Sequence, residues 1–194
     1  MKSARMCRLL AAAVAAVPAT LSAQAAVRTV SFGVQGGFTV PTGEYADAGE
    51  SGWNVGGFLQ WRPVNQVFGV RGELQYHRND IKDSFLPVGS SGNFGVTYLG
   101  VAPVLEVAPA GSGIGWYLLA GVGMYRFSTS YSESDISVST DETEIGFNGG
   151  AGLRFRFGSA NLFAEMRYHG VHVSDPDAGS SNITFMPFSI GISF

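Results

Sequence analysis

His172-Val173-Ser174 sets an imidazole two residues from a hydroxyl, with Asp175 directly after. On a strand, positions two apart share a face. A base and a nucleophile would then stand side by side, an arrangement that cleaves acyl esters once a carboxylate orients the imidazole. Asp175 and Asp177 are the only acids that follow. His77 and His169 fall among charged residues and read as packed, hydrogen-bonded side chains rather than metal ligands. Asp175-Pro176-Asp177-Ala178-Gly179 lacks the ligand spacing of a calcium loop and reads as a turn. No metal and no cofactor is expected.

The chain opens with basic Lys2, Arg5 and Arg8, an apolar run over 9–17 ended by Pro18, and Ala23-Gln24-Ala25. That pattern predicts a secretory signal peptide over 1–25, cut after Ala25, and one domain over 26–194. Cys7 precedes the apolar run, whereas a lipidated cysteine would directly follow the cut. The mature chain then has no cysteine for a disulfide or a thiolate metal site. Loss of Lys2, Arg5 and Arg8 from the 12 basic residues leaves 9 against 15 acidic ones, a formal charge of −6. Such a balance argues against a nucleic-acid partner. Beyond the signal peptide no apolar run approaches the roughly 20 residues of a membrane helix.

Period-two alternation runs through the rest. Val30, Phe32, Val34, Phe38 and Val40 oppose Ser31, Gly33, Gln35, Gly37 and Thr39. Segments 67–79, 144–157, 162–169 and 188–194 repeat the pattern, while 53–61 and 116–127 also read as strands. Pro103 blurs the register of 94–107. Eight strands result. Connections alternate in length: 41–51, 80–93, 128–143 and 174–182 are long, while 62–66, 108–115 and 158–160 are shorter. An even strand number with long loops at one end and short turns at the other predicts an all-β, eight-stranded antiparallel up-and-down transmembrane barrel.

Charge decides which face is outside. Arg71, Glu73, Glu144, Arg154, Arg156, Glu165 and Arg167 share the polar faces of their strands, and both signs are present. A midplane Arg or Lys costs roughly 2 to 4 kcal/mol against hydrocarbon, so these residues are expected inside as a paired network. Polar-face glycines, among them Gly33, Gly37, Gly56, Gly69, Gly146, Gly150 and Gly152, would make room for it. Trp61, Phe68, Trp116, Phe157 and Phe194 are expected in one interfacial girdle, and Phe38, Trp53, Tyr76, Phe94 and Tyr125 in the other. An eight-stranded barrel is just wide enough to fill with side chains, which argues against an open pore. Loop acids Glu44, Asp47, Glu50, Glu133, Asp135, Asp141, Glu142, Asp175 and Asp177 predict an acidic extracellular crown.

Three stretches carry a resemblance: Val40-Pro41-Thr42-Gly43-Glu44, Glu165-Met166-Arg167-Tyr168-His169, and Ser189-Ile190-Gly191-Ile192-Ser193-Phe194. The chain resembles the outer-membrane β-barrel domain family that includes the OmpA and OmpX barrels. Alternating Phe188, Ile190, Ile192 and Phe194 look like the terminal signal by which such barrels are recognised for assembly. The resemblance implies an integral protein of the bacterial outer membrane, surrounded by its lipids and lipopolysaccharide and inserted by the barrel-assembly machinery.

The expected role is a structural, surface-binding platform, not an enzyme. Two alternatives stand beside it. The His172-x-Ser174 arrangement resembles that of outer-membrane lipid A deacylases, though Asp175 stands where their pattern usually has Asn, and the strand is expected to have frayed by Ser174. A soluble, lipocalin-like periplasmic binder would instead turn its apolar strand faces inward.

Overall fold

The computed structural model describes residues 29–63, 66–82, 84, 91–108, 113–133, 136–175 and 179–194. The expected signal peptide lies outside them. Alternation produces eight strands: β1 (Val30–Thr42), β2 (Gly52–Trp61), β3 (Phe68–Asp80), β4 (Ser91–Val107), β5 (Ile114–Glu133), β6 (Ile136–Phe157), β7 (Ala160–Asp175) and β8 (Gly179–Ser193). Each pairs antiparallel with the next and β8 pairs with β1, closing the barrel. At the seam Phe32 and Phe194 exchange both backbone hydrogen bonds, at 3.1 and 2.8 Å. Closure leaves no strand edge with unsatisfied backbone groups in lipid.

Sidedness follows the alternation. Leu59, Phe147, Met166 and Ile190 are exposed on the outer wall, while Gln60, Arg71, Glu165 and Ser189 are buried within. The apolar faces therefore point away from the interior, opposite to what a lipocalin-like binder requires. In β4, Ala102, Val104 and Glu106 are buried and Pro103 faces outward. The β4–β5 ladder is interrupted between Val101↔Val122 and Val104↔Leu119. Pro103, which has no N–H to donate, sits in that gap.

Short connections mark the end where β1 begins and β8 finishes, the termini end. The tightest is Gly158-Ser159, which closes Phe157↔Ala160 with Gly158 at φ 62°, a left-handed conformation suited to a hairpin. The opposite end departs from expectation. Residues 128–143 are expected as a loop, yet β5 and β6 remain paired from Ser128↔Asp141 to Glu133↔Ile136. That ladder adds about 20 Å at roughly 3.3 Å per residue. The β6–β7 ladder ends at Gly146↔Val171, so the hairpin rises without β7 beside it. The expected loop over 174–182 is likewise largely ladder, with β7 and β8 paired to Asp175↔Gly179.

The first long connection is a cover rather than a free loop. Helix α1 (Tyr45–Ala48) is tied to the chain after β3 by Lys82 N to Ala48 O at 2.9 Å and Lys82 Nζ to Ala46 O at 2.6 Å. Tyr45 packs edge-on against Phe94, 5.6 Å between ring centroids, over a buried cluster of Val96, Tyr98, Tyr125, Val171 and Phe185. Two expected girdle residues are thereby corrected. Tyr125 is fully buried inside the barrel, and Phe94 lies beneath the cover. Trp53 and Tyr76 do pair on the outer wall, as do Phe38 and Phe188, at 5.5 and 5.0 Å.

Candidate functional site

The barrel interior has two storeys. In the lower one, Arg71 and Glu73 on β3 face Glu165 and Arg167 on β7. Arg71 Nη1 donates to Glu165 Oε2 at 2.7 Å and Arg167 Nε donates to Glu165 Oε1 at 2.6 Å. Arg167 also bridges to Glu73 through both terminal nitrogens, Nη2 to Oε2 at 2.6 Å and Nη1 to Oε1. Two cations and two anions balance, and all four side chains are buried. The guanidiniums are further held by apolar faces, with Arg71 stacked 4.2 Å over the Phe58 ring.

Neutral donors extend the network in both directions. Tyr117 donates to Glu165 at 2.7 Å, while Gln75 and Tyr98 each reach Glu73 at 3.3 Å. Downward, Arg71 donates to Gln60, Gln60 to Glu106 at 3.2 Å, and Arg154 to Glu106 at 2.6 Å. Upward, Asn148 donates to Tyr98 at 2.7 Å, and its amide also reaches the Tyr125 hydroxyl, which pairs with His169 Nδ1 at 2.9 Å. A hydrogen-bonded chain thus runs from the termini end to the upper storey.

Glycines on the inner face make this packing possible. A Cβ on Gly152 would lie 2.2 Å from the Tyr117 ring, and one on Gly150 would lie 2.7 Å from Arg167 Cγ. The space expected for long interior side chains is therefore used by an aromatic ring and a guanidinium stem.

Five of the seven expected network residues are brought together: Arg71, Glu73, Arg154, Glu165 and Arg167. Glu144 and Arg156 keep the inner-face phase but lie on β6 beyond either end of the network. Among the described residues no hydrogen bond or ion pair ties them to it, and Arg156 is exposed. Glu106, Gln60, Tyr98 and Tyr117 complete the network without having been anticipated. Their signal was weak, because the blurred register of β4 hid Glu106 and Tyr98, and a tyrosine reads equally well as lipid-facing.

The upper storey is mainly aromatic. His77 and His169 are buried 5.6 Å apart, and both pack on Phe185, at 5.0 and 4.8 Å between centroids. Thr39 Oγ1 pairs with His77 Nδ1 at 3.0 Å. Both histidines are packed and hydrogen-bonded as expected, although rings rather than charges dominate their surroundings. Among the described residues no group of three or more His, Cys, Asp or Glu is placed to hold a metal ion.

The hydrolase-like positions lie elsewhere, at the top of β7. The strand continues through Ser174 to Asp175 rather than fraying. His172 is exposed, and its Nδ1 pairs with Asn182 Oδ1 across the β7–β8 ladder at 3.0 Å. Its described ring partner is thus a neutral amide, whereas the expected orienting group was Asp175, a carboxylate that would stabilise an imidazolium better. Ser174 and Asp175 are placed by their backbone alone. Of the acidic crown, Glu44 accepts from Ser181 Oγ at 2.9 Å and joins the first connection to β8. Asp135 and Asp177 lie outside the described residues, and Glu133 and Asp141 are placed only by strand pairing.

A closed eight-stranded barrel with an apolar outer wall and a charge-paired interior defines the class of the transmembrane β-barrel. The chain belongs to the family described as the outer membrane protein beta-barrel domain, whose pattern matches residues 9–194. Among solved structures it is similar to Neisserial surface protein A, with 14% identity, TM-score 0.62, and coverage of 86% of this chain and 96% of that one. A major outer membrane protein of Thermus thermophilus gives 11% identity, TM-score 0.57, and coverage of 86% of this chain and 99% of that one. At these identities the likeness establishes fold. No curated protein sequence matches the chain.

Proposed function

We propose that the protein is an integral barrel of the bacterial outer membrane that acts as a closed platform for surface binding, without a pore and without enzymatic chemistry. The observation that carries this reading is the buried Arg71–Glu165–Arg167–Glu73 cluster, which spans from β3 to β7. A conducting lumen needs a polar path with room for water, whereas these groups saturate one another. Binding then belongs to the two ladders that continue past the barrel, β5–β6 and β7–β8, with acidic residues such as Glu44 and Glu142 near their bases. Outer-membrane lipids and lipopolysaccharide surround the outer wall. The terminal alternation Phe188, Ile190, Ile192 and Phe194 presents itself to the barrel-assembly machinery.

The test joins two measurements. The refolded protein in planar bilayers is expected to give no steady conductance. Cells carrying a variant in which 129–140 is replaced by a two-residue turn are expected to lose adhesion while the barrel stays folded. Steady ion conductance by the parent protein, or unchanged adhesion by the shortened one, would refute the platform.

A further inference from the structure

The termini end of the barrel opens into a polar cavity of about 420 Å³. Arg62, Arg154, Arg156, Gln60 and Glu106 line it, with Ser31, Ser159 and Asn161 at its rim. Charge here is unbalanced, unlike the neutral cluster above. Three guanidiniums meet one side-chain carboxylate, and a carboxylate on residue 194 would still leave a positive excess.

The single acid is already saturated. Glu106 Oε1 takes Arg154 Nη1 at 2.6 Å and faces Arg62 Nη1 at 3.5 Å, while Oε2 takes Gln60 at 3.2 Å. Arg154 keeps two buried nitrogens, Nε and Nη2, that meet no acceptor among the described residues. Its guanidinium lies 5.5 Å from the Tyr117 ring, which offers a π face in place of a lone pair. Arg156 follows two residues along the same face of β6 and is exposed at the mouth. Buried guanidinium donors ordinarily find acceptors, and charged oxygens make the strongest ones.

We propose that this vestibule is a binding site for a small oxyanion of the phosphate or carboxylate class, gripped by Arg154 and Arg156 with Arg62 at the side. Hydroxyl and amide groups of Ser31, Ser159 and Asn161 are placed to bond its remaining oxygens. The site opens at the end opposite the protruding ladders, so its ligand comes from the periplasmic side of the platform. A soluble phosphate ester and the phosphodiester of an inner-leaflet lipid share this chemistry.

Inorganic phosphate is the probe, titrated calorimetrically at low salt into the mature barrel in zwitterionic detergent. Saturable binding below about 10 mM is expected, and Arg154→Gln and Arg156→Gln should each weaken it about tenfold, the loss of one charge-assisted contact. Arg156→Gln is the decisive variant, because Arg156 takes no part in the interior network and its melting temperature should not move. Absence of saturable binding by the parent, or an affinity of Arg156→Gln equal to the parent's, overturns the proposal. The same titration in nanodiscs identifies the source. Competition that grows as phosphatidylglycerol replaces phosphatidylcholine assigns the site to a lipid headgroup, and unchanged affinity assigns it to a soluble anion.

Discussion

Arg167→Met tests whether the buried cluster holds the barrel together or merely occupies it. Arg167 supplies Glu73 with its guanidinium partner, and without it Glu73 keeps, among the described residues, Gln75 and Tyr98, neutral donors at 3.3 Å. Glu165 is less affected, since Arg71 and Tyr117 remain at 2.7 Å. One uncompensated carboxylate in an enclosed interior costs about 3–5 kcal/mol. Arg71→Met removes a cation too, but Glu165 retains Arg167, so its cost should be smaller, about 1.5–3 kcal/mol for a hydrogen bond to a charged group. Restoring neutrality with Glu73→Gln in the Arg167→Met background should recover about 2 kcal/mol as coupling between the two positions. Urea unfolding in lipid vesicles, followed through Trp53, Trp61 and Trp116, measures the parent, the single variants Arg167→Met, Arg71→Met and Glu73→Gln, and the double variant. An Arg167→Met barrel within about 0.5 kcal/mol of the parent, or a double variant equal to the sum of the singles, would refute the reasoning.

Two further predictions concern the seam and the cover. A Cβ on Gly37 would stand 1.9 Å from the backbone oxygen of Phe188, where no side chain can move aside, whereas Gly72 has nothing within 4 Å. Gly37→Ala should therefore abolish the faster migration of the unboiled barrel in electrophoresis, and Gly72→Ala should leave it intact. Tyr45 has a buried hydroxyl with no acceptor among the described residues, and burial pushes its ionisation upward. A phenol whose folded pKa exceeds its ordinary value of about 10 stabilises the docked cover below that pH and loses the contribution as pH rises above it. Protease protection of the first connection should fall above about pH 10 in the parent and persist in Tyr45→Phe.

Period-two patterning made the barrel legible wherever one strand face meets lipid and the other meets a packed interior. It also puts Arg71, Glu73, Arg154, Glu165 and Arg167 on the inward phase of their strands, because hydrocarbon excludes their charges from the outer wall. The protruding part of β5–β6 was illegible for the same reason. Ser128, Thr129 and Ser130 answer Asp141, Thr140 and Ser139 across the ladder, so polar residues occupy both of its faces there and no apolar alternation marks a strand. Tyr117 was missed because its position depends on a partner in another strand. The signal lay in Gly152, directly across the β5–β6 ladder, whose missing side chain accepts the ring. Periodicity within one segment cannot report that pairing until the register is known.

The interior network separates the two ends of the molecule chemically as well as sterically. Its central four charges cancel, so no net field draws an ion inward. Above them, the aromatic storey and the Tyr45 cover fill the upper half with groups that offer few polar contacts. Below them, the excess of guanidinium donors stops at Arg154, where Glu106 and Gln60 connect the vestibule to the cluster. An anion held at the vestibule therefore meets a saturated wall rather than an entrance. If the proposed surface binding by the hairpins and anion binding by the vestibule are separate in this way, each should be removable by substitution without disturbing the other. A hairpin-shortened protein that still binds phosphate, together with an Arg156→Gln protein that still adheres, is the result this separation requires.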